Sequence, residues 1–279
     1  MMPQEIVYDA EPQLSHPRRF FGRLRSDLAQ SVWLTLQLLR QNLRAKYSSS
    51  MLGYVWLLAS PLSLAVVWIA LNRAGIVSFA PTRIPYSVHV IAGLFLWAVF
   101  LRALNAPLQH LNASRHILSR INFPWEAIVL ASWMEVLLEF AIYLIVLAVV
   151  LLAYGLNPLL LMVSVPACAM LLLLGAAAGL LLAPLGLLYD DVPRAVGVIT
   201  YGLFFLTPVI YPPPVDEPGS LTVFANPVGA LLVAAREMMT GVDVTYPAAA
   251  LIWSVVTLVA FAVGAITFRL SIPHLVSKL

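Results

Sequence analysis

The sequence predicts an all-α integral membrane protein with six transmembrane helices. Three observations carry that prediction. Of 279 residues, 61% are hydrophobic and only 10% are charged, against about 45–50% and about 25% in an ordinary globular domain. Six apolar stretches approach the roughly 20 residues that a bilayer-crossing helix needs. The basic residues divide unevenly between the two sides which those stretches define. A chain so poor in charge cannot cover a water-facing surface in the usual way. Its net charge of +3 does not point to nucleic acid, because the basic groups are not spread over a soluble face.

The elements follow in order. Residues 1–21 form a polar N-terminal tail lacking the apolar core of a cleavable signal peptide, so the first span is expected to act as the insertion signal. Residues 22–46 read as an amphipathic helix. Leu24, Leu28, Val32, Leu36, Leu39 and Leu43 recur at helical spacing, opposite Gln30, Gln37, Gln41 and Arg44. Such a helix is expected to lie in the membrane interface with its basic groups toward headgroups. The alternative is an ordinary helix packed on the bundle.

The spans are placed near 52–72, 86–105, 127–153, 158–187, 195–211 and 248–269. Tyr154-Gly155-Leu156-Asn157-Pro158 reads as a tight turn before the fourth. Pro166 and Pro184 are expected to kink that span without dividing it. Between spans 2 and 3, residues 112–123 read as a short helix capped by Asn112 and stopped by Pro124. It exposes Arg115, His116 and Arg120. Between spans 5 and 6, residues 212–247 are too broken by proline to cross. There Asn226 offers a cap, Pro227 fits the first helical position, and Gly241 ends the run. Two short helices that dip into one leaflet and return, the re-entrant segment 212–241, would suit a pore wall or gate. A folded external cap is the alternative.

Thirteen of the sixteen lysines and arginines fall on the side of the N-terminus, among them Arg40, Arg44, Lys46, Arg102, Arg115, Arg120 and Arg194. Only Arg73, Arg83 and Arg236 fall on the other. Both termini are therefore expected in the cytoplasm.

Much chemistry is excluded. Neither Lys46 nor Lys278 follows a glycine, so no phosphate-binding Gly-x-x-x-x-Gly-Lys loop exists, and the chain is not expected to hydrolyse ATP. The lone Cys168 rules out an intrachain disulfide and a cysteine-ligated zinc. No zinc helix or serine nucleophile elbow is present, and no metal site is expected. Asp190-Asp191 could hold magnesium and a pyrophosphate, or simply pair with Arg194. Glu135 and Glu139 lie one turn apart inside span 3, where charge costs about 2.5–3.5 kcal/mol per residue. They could serve a proton relay, touch a polar substrate, or bond within the bundle; no intramembrane arginine stands out as their partner. Trp56, Trp68, Tyr86, Phe95, Trp97, Phe100, Tyr201, Phe204 and Phe205 cluster in spans 1, 2 and 5. Interface anchoring explains Tyr86, whereas a ring-lined pore would suit sugars.

The run Leu43-Arg-Ala-Lys-Tyr-Ser-Ser-Ser-Met-Leu-Gly-Tyr-Val-Trp-Leu-Leu-Ala-Ser-Pro61 resembles the signature with which ABC-2 permeases enter their first span. Tyr47, Ser50, Leu52, Gly53, Trp56 and Pro61 stand in register. Asn122-Phe-Pro124 is similar to the exit of that family's coupling helix. Leu206-Thr-Pro-Val-Ile-Tyr211 and Asn226-Pro227 are similar to the flanks of its outer gate helices. The Asp190-Asp191-Val-Pro-Arg194 loop departs from the family's usual Arg-Asp. The likeness covers roughly 22–270 and is closest to the polysaccharide-exporting branch.

That resemblance implies a transport subunit and no enzyme: an interface helix at 22–46, a cytoplasmic coupling helix, and re-entrant outer gate helices. It implies a homodimer in the bacterial inner membrane with two separate ATP-binding cassette subunits. This chain would carry no cofactor, since ATP and Mg belong to those partners. The cargo would be a glycan on undecaprenyl pyrophosphate, O-antigen in preference to capsule or teichoic acid. Arg115, His116 and Arg120 would couple to the ATPase, and Arg40, Arg44 and Lys46 would meet the lipid pyrophosphate. Trp56, Trp68, Trp97, Phe100, Tyr201, Phe204 and Phe205 would line the glycan channel. Tyr211, Asn226 and Pro227 would belong to the outer gate. The competing readings are a membrane-embedded enzyme acting on polyprenyl phosphate through Asp190 and Asp191, and an exporter of a smaller lipid or drug.

Overall fold

The computed structural model describes residues 32–46, 48, 53, 55–115, 125–214 and 219–276. Among these every regular element is a helix. In chain order they are α1 (32–46), α2 (Val55–Arg73), α3 (Tyr86–Ala113), α4 (Trp125–Ala153), α5 (Leu160–Leu188), α6 (Asp191–Leu206), α7 (Gly219–Ala225), α8 (Pro227–Thr240) and α9 (Pro247–Val276). Five helices are long and apolar enough to cross a membrane: α2, α3, α4, α5 and the Pro247–Ser271 part of α9. The outer faces of α2, α4 and α9 present Val66, Ile145 and Leu251, each more than 60% exposed. Water would not tolerate such faces, and lipid favours them. The chain is a multi-pass helical membrane protein.

The centre of the bundle is α3 against α5, flanked by α9 and α8 on the α5 side and by α4 and α2 on the α3 side. Between lipid-immersed helices apolar burial drives little, so close backbone approach must supply the packing. Gly175-Ala-Ala-Ala-Gly179 on α5 does this. A Cβ on Gly175 would lie 2.6 Å from the Phe100 carbonyl oxygen, and one on Gly179 would lie 2.5 Å from that of Leu104. Gly186, about two turns further on, leaves room for the Leu108 side chain. This small-residue stripe is a sequence signal that the span reading passed over.

Helix bounds follow local chemistry. Pro166 and Pro184 sit inside a continuous α5, and Pro107 inside a continuous α3. Gly155 turns the chain after α4 at φ 72°, while the Asn157 side-chain oxygen accepts from Leu159 N. Asn226 caps α8, its Oδ1 accepting from Val228 N and Gly229 N at 3.1 Å, with Pro227 at the first position. Gly241 closes that helix at φ 74°, with Val242 N donating to Glu237 O.

Two expectations need correction. α3 runs 28 residues, about 42 Å at 1.5 Å per residue, so it continues past position 105 and absorbs Asn112. That residue lies in the last turn of α3 and caps no separate helix; positions 116–124, with His116, Arg120 and Pro124, fall outside the described residues. α6 spans 16 residues, about 24 Å, and stops at Leu206 because Pro208 drives Thr207 into extended backbone (φ −96°, ψ 132°). The fifth predicted span thus begins earlier and ends sooner than 195–211. On α1 the inward face mixes polar and apolar residues. Thr35 and Leu39 are buried and Asn42 half-buried, while Val32 and Leu36 are exposed beside Trp33.

Gly179→Ala is expected to destabilise the bundle by about 1–3 kcal/mol, because a methyl against a backbone carbonyl forces α3 and α5 apart. Gly197→Ala and Gly202→Ala on α6, where a Cβ meets nothing within 4 Å, serve as controls and should leave stability unchanged or raised. Thermal unfolding of the three variants in one detergent measures the difference.

Candidate functional site

Two polar constructions occupy opposite ends of α3. At its C-terminal end, Lys46 of α1 reaches across the bundle. Its ammonium lies 2.5 Å from Glu135 Oε1 and 2.7 Å from Glu139 Oε1, both on α4. From α3, Arg102 Nε stands 3.4 Å from Glu139 Oε2, and His110 Nε2 stands 3.5 Å from Glu135 Oε2. Asn42 Nδ2 is 3.3 Å from His110 Nδ1. An Nε2–H tautomer of His110 satisfies both of its contacts, accepting from Asn42 and facing Glu135.

The two glutamate side chains are only 7% and 4% exposed, so their charge demands partners. Thr35, Leu39, Asn42 and Lys46 stand at helical intervals on one face of α1, which turns polar groups inward and leaves Val32, Trp33 and Leu36 outside. Burial disfavours the Lys46 ammonium, but hydrogen bonds and attraction from Glu135 and Glu139 outweigh it and hold its pKa above the ordinary 10.5. Its stabilisation is therefore complete below that pH and is lost only as pH rises through the higher folded value.

At the N-terminal end of α3, the chain leaving α6 is held by four hydrogen bonds from three side chains. Asn226 Nδ2 donates to Thr207 Oγ1 at 2.9 Å. Arg236 Nη1 of α8 donates to the carbonyl oxygens of Pro208, at 2.9 Å, and Val209, at 3.1 Å. His89 Nε2 of α3 lies 3.1 Å from Tyr211 O. Gly93 makes this possible, because a Cβ there would collide with the Val209 carbonyl. Tyr211 in turn donates its hydroxyl to Phe205 O.

The remaining candidate residues are dispersed. Arg40 and Arg44 are exposed and line a polar groove of about 550 Å³ with Gln37, Gln41, Ala45 and Ser48. Lys46 points away from that groove to the two carboxylates. Arg115 follows α3 directly and is half-buried. Trp97 and Phe100 are buried in the main apolar cluster, their rings 5.5 Å apart, with Phe204 edge-on to Trp97. They face neighbours within the chain and no open surface. Trp68 also packs on that cluster. Trp56, Tyr201 and Phe205 are exposed, at 62%, 71% and 51%. Asp191 accepts from Arg194 at 3.1 Å, an ion pair open to solvent on both sides.

Sequence reasoning missed Asn42, Arg102 and His110 as partners for the glutamates, and it missed Arg236 and His89. Ending span 2 at 105 put Arg102 near a loop and His110 beyond the helix. For Arg236 a signal existed: a lone arginine directly after Leu231-Leu232-Val233-Ala234-Ala235 is a charge that must find a buried partner.

No family model matches the chain. Among known proteins, it is similar to two O-antigen export system permease proteins RfbA from Klebsiella pneumoniae. One is 26% identical over 228 residues, which is 80% of this chain and 86% of that protein. The other is 26% identical over 79% of this chain and 85% of its own length. A permease of the same name from Myxococcus xanthus is 26% identical over 76% of this chain and 82% of that protein. The likeness to polysaccharide-exporting permeases read from the span 1 signature is thus matched along most of the chain.

Replacing Lys46 by Met should leave Glu135 and Glu139 buried with too little positive charge. The expected loss lies at the lower end of the about 3–5 kcal/mol seen for broken buried pairs, since the Lys46 side chain is itself 34% exposed. Lys46→Arg should retain most of the stability. Chemical or thermal unfolding in detergent, with an intact far-ultraviolet helix signal as the folding check, separates the two.

Proposed function

From a multi-pass helical chain that is similar to O-antigen export permeases along four-fifths of its length, we propose that this protein is the transmembrane subunit of an ATP-driven O-antigen exporter. The extended likeness to those permeases is the observation that carries this reading. The chain works as a homodimer with two separate ATP-binding cassette subunits in a bacterial inner membrane, both termini cytoplasmic. α6 acts as the fifth of six spans, its shortness made up by the segment 207–214 that follows it. The cargo is a glycan linked to undecaprenyl pyrophosphate.

The geometry supports a division of labour. Arg40 and Arg44 present two guanidinium groups, suited to bidentate phosphate contacts, in one polar groove on the cytoplasmic side. Lys46, already engaged by two carboxylates, serves instead to fasten the interface helix α1 to α3 and α4. A push on α1 by a closing cassette therefore reaches two spans through ion pairs, alongside the route through Arg115 and the segment after it. On the opposite side, the Thr207–Tyr211 segment held by Asn226, Arg236 and His89 forms the closed outer gate. Tyr201, Phe205 and Trp56 are the channel aromatics with faces free to meet a second copy or the glycan.

Deleting the gene should abolish surface O-antigen and accumulate full-length lipid-linked glycan inside the cell, read by electrophoresis of surface polysaccharide and extraction of the lipid fraction. Loss without accumulation would instead place the chain in synthesis and revive the enzyme reading. The double variant Arg40→Gln, Arg44→Gln should lower export at least tenfold while the protein still inserts and binds its cassette partner. Surface polymer at the normal level in that variant would remove the two arginines from cargo recognition.

A further inference from the structure

Arg236 is a physical anomaly. Its side chain is 1% exposed and it makes no ion pair among the described residues. Nη1 is satisfied by the Pro208 and Val209 carbonyls, but Nη2 is buried with no hydrogen-bond partner. Burial pulls its pKa down to about 10, with Glu237 opposing, so the guanidinium is still charged at neutral pH. A buried cation whose direct contacts are carbonyl dipoles, with one carboxylate near but not paired to it, is costly, and a contacting anion is what such a site lacks.

The nearest carboxylate is not that anion. Both oxygens of Glu237 are taken by Thr245, Oε2 accepting from its backbone N–H at 2.8 Å and Oε1 from its hydroxyl at 2.5 Å. Arg236 and Glu237 instead line a cavity of about 90 Å³, together with His89, Thr240 and, from the loop before α3, Arg83. Arg83 is exposed, and its guanidinium lies 3.5 Å from the Asp243 carbonyl oxygen, a weak contact that leaves its charge unneutralised. Two arginines thus face one carboxylate, and the space holds a group of a few atoms.

We propose that this cavity, beneath the Thr207–Pro214 segment, is a binding site for a single small anionic group, a carboxylate or a phosphate. Arg236 is the buried anchor and Arg83 the cation at the rim. An occupant there lies among the α2–α3 loop, the segment after α6, and α8, so it would tie together the elements that hold the segment closed. The site stands on charge and geometry alone and does not depend on what the chain transports.

The test uses the full chain in lipid nanodiscs, in a low-salt buffer whose own anion is kept at the same low concentration in every titration. Sodium glucuronate and sodium phosphate are titrated separately by calorimetry. Saturable one-to-one binding of at least one is expected, weakened at least fivefold in Arg83→Gln and at least tenfold in Arg236→Lys. Preference for glucuronate identifies an acidic sugar as the source of the group, and preference for phosphate identifies a phosphate. Should Arg236→Lys fail to fold, Arg83→Gln at the exposed rim decides the matter. No saturable binding of either anion to the folded protein, or unchanged affinity in Arg83→Gln, overturns the proposal.

Discussion

Two carboxylates one turn apart in an otherwise apolar helix cannot be buried alone, and much of one end of this molecule answers to that constraint. Glu135 and Glu139 draw Lys46 from α1 and Arg102 and His110 from α3. The result fixes where α1 lies, which face it turns inward, and how far α3 must extend before it ends. In lipid, where apolar contact gives little preference between helix arrangements, a charge requirement of this kind is a strong determinant of which helices become neighbours.

The opposite end is organised by the complementary problem, a buried cation. Arg236 is housed by folding an irregular segment over it so that two backbone carbonyls point inward. Irregular backbone near the membrane requires just such internal partners. One arrangement therefore serves both needs, since the segment after α6 gains donors and the guanidinium gains acceptors. Gly93 is the permissive element, because any side chain there would separate them.

Between the two ends runs a dry interface of small residues. Gly175, Gly179 and Gly186 let α5 lie against the α3 backbone, which forms a stiff central pair joining the polar lock at one end to the latched segment at the other. The two polar constructions at its ends are built from residues as far apart in the chain as Lys46 and Arg236, 190 positions from one another.

The sequence by itself determined the class of protein, most of the helices, and the caps of α8. Those properties are local or compositional: low charge, apolar length, Asn226-Pro227 and Gly241. It determined the family likeness too, because that rests on ordered motifs. It did not determine which charges meet. Lys46 and Glu135 are 89 residues apart, and nothing in the spacing of either foretells the other. The inward contacts of α1 were out of reach for the same reason: its periodicity marks an apolar stripe, whereas the interior supplies two carboxylates to which Lys46 turns and a histidine to which Asn42 turns. Trp97 and Phe100, chosen for depth and aromatic character, are packed within the chain, since depth in a membrane does not distinguish a pore wall from a core. Only the tertiary structure, by bringing α1, α3 and α4 together at one end and α3, α8 and the post-α6 segment at the other, decided which of these polar groups are paired and left Arg236 buried with no ion pair among the described residues.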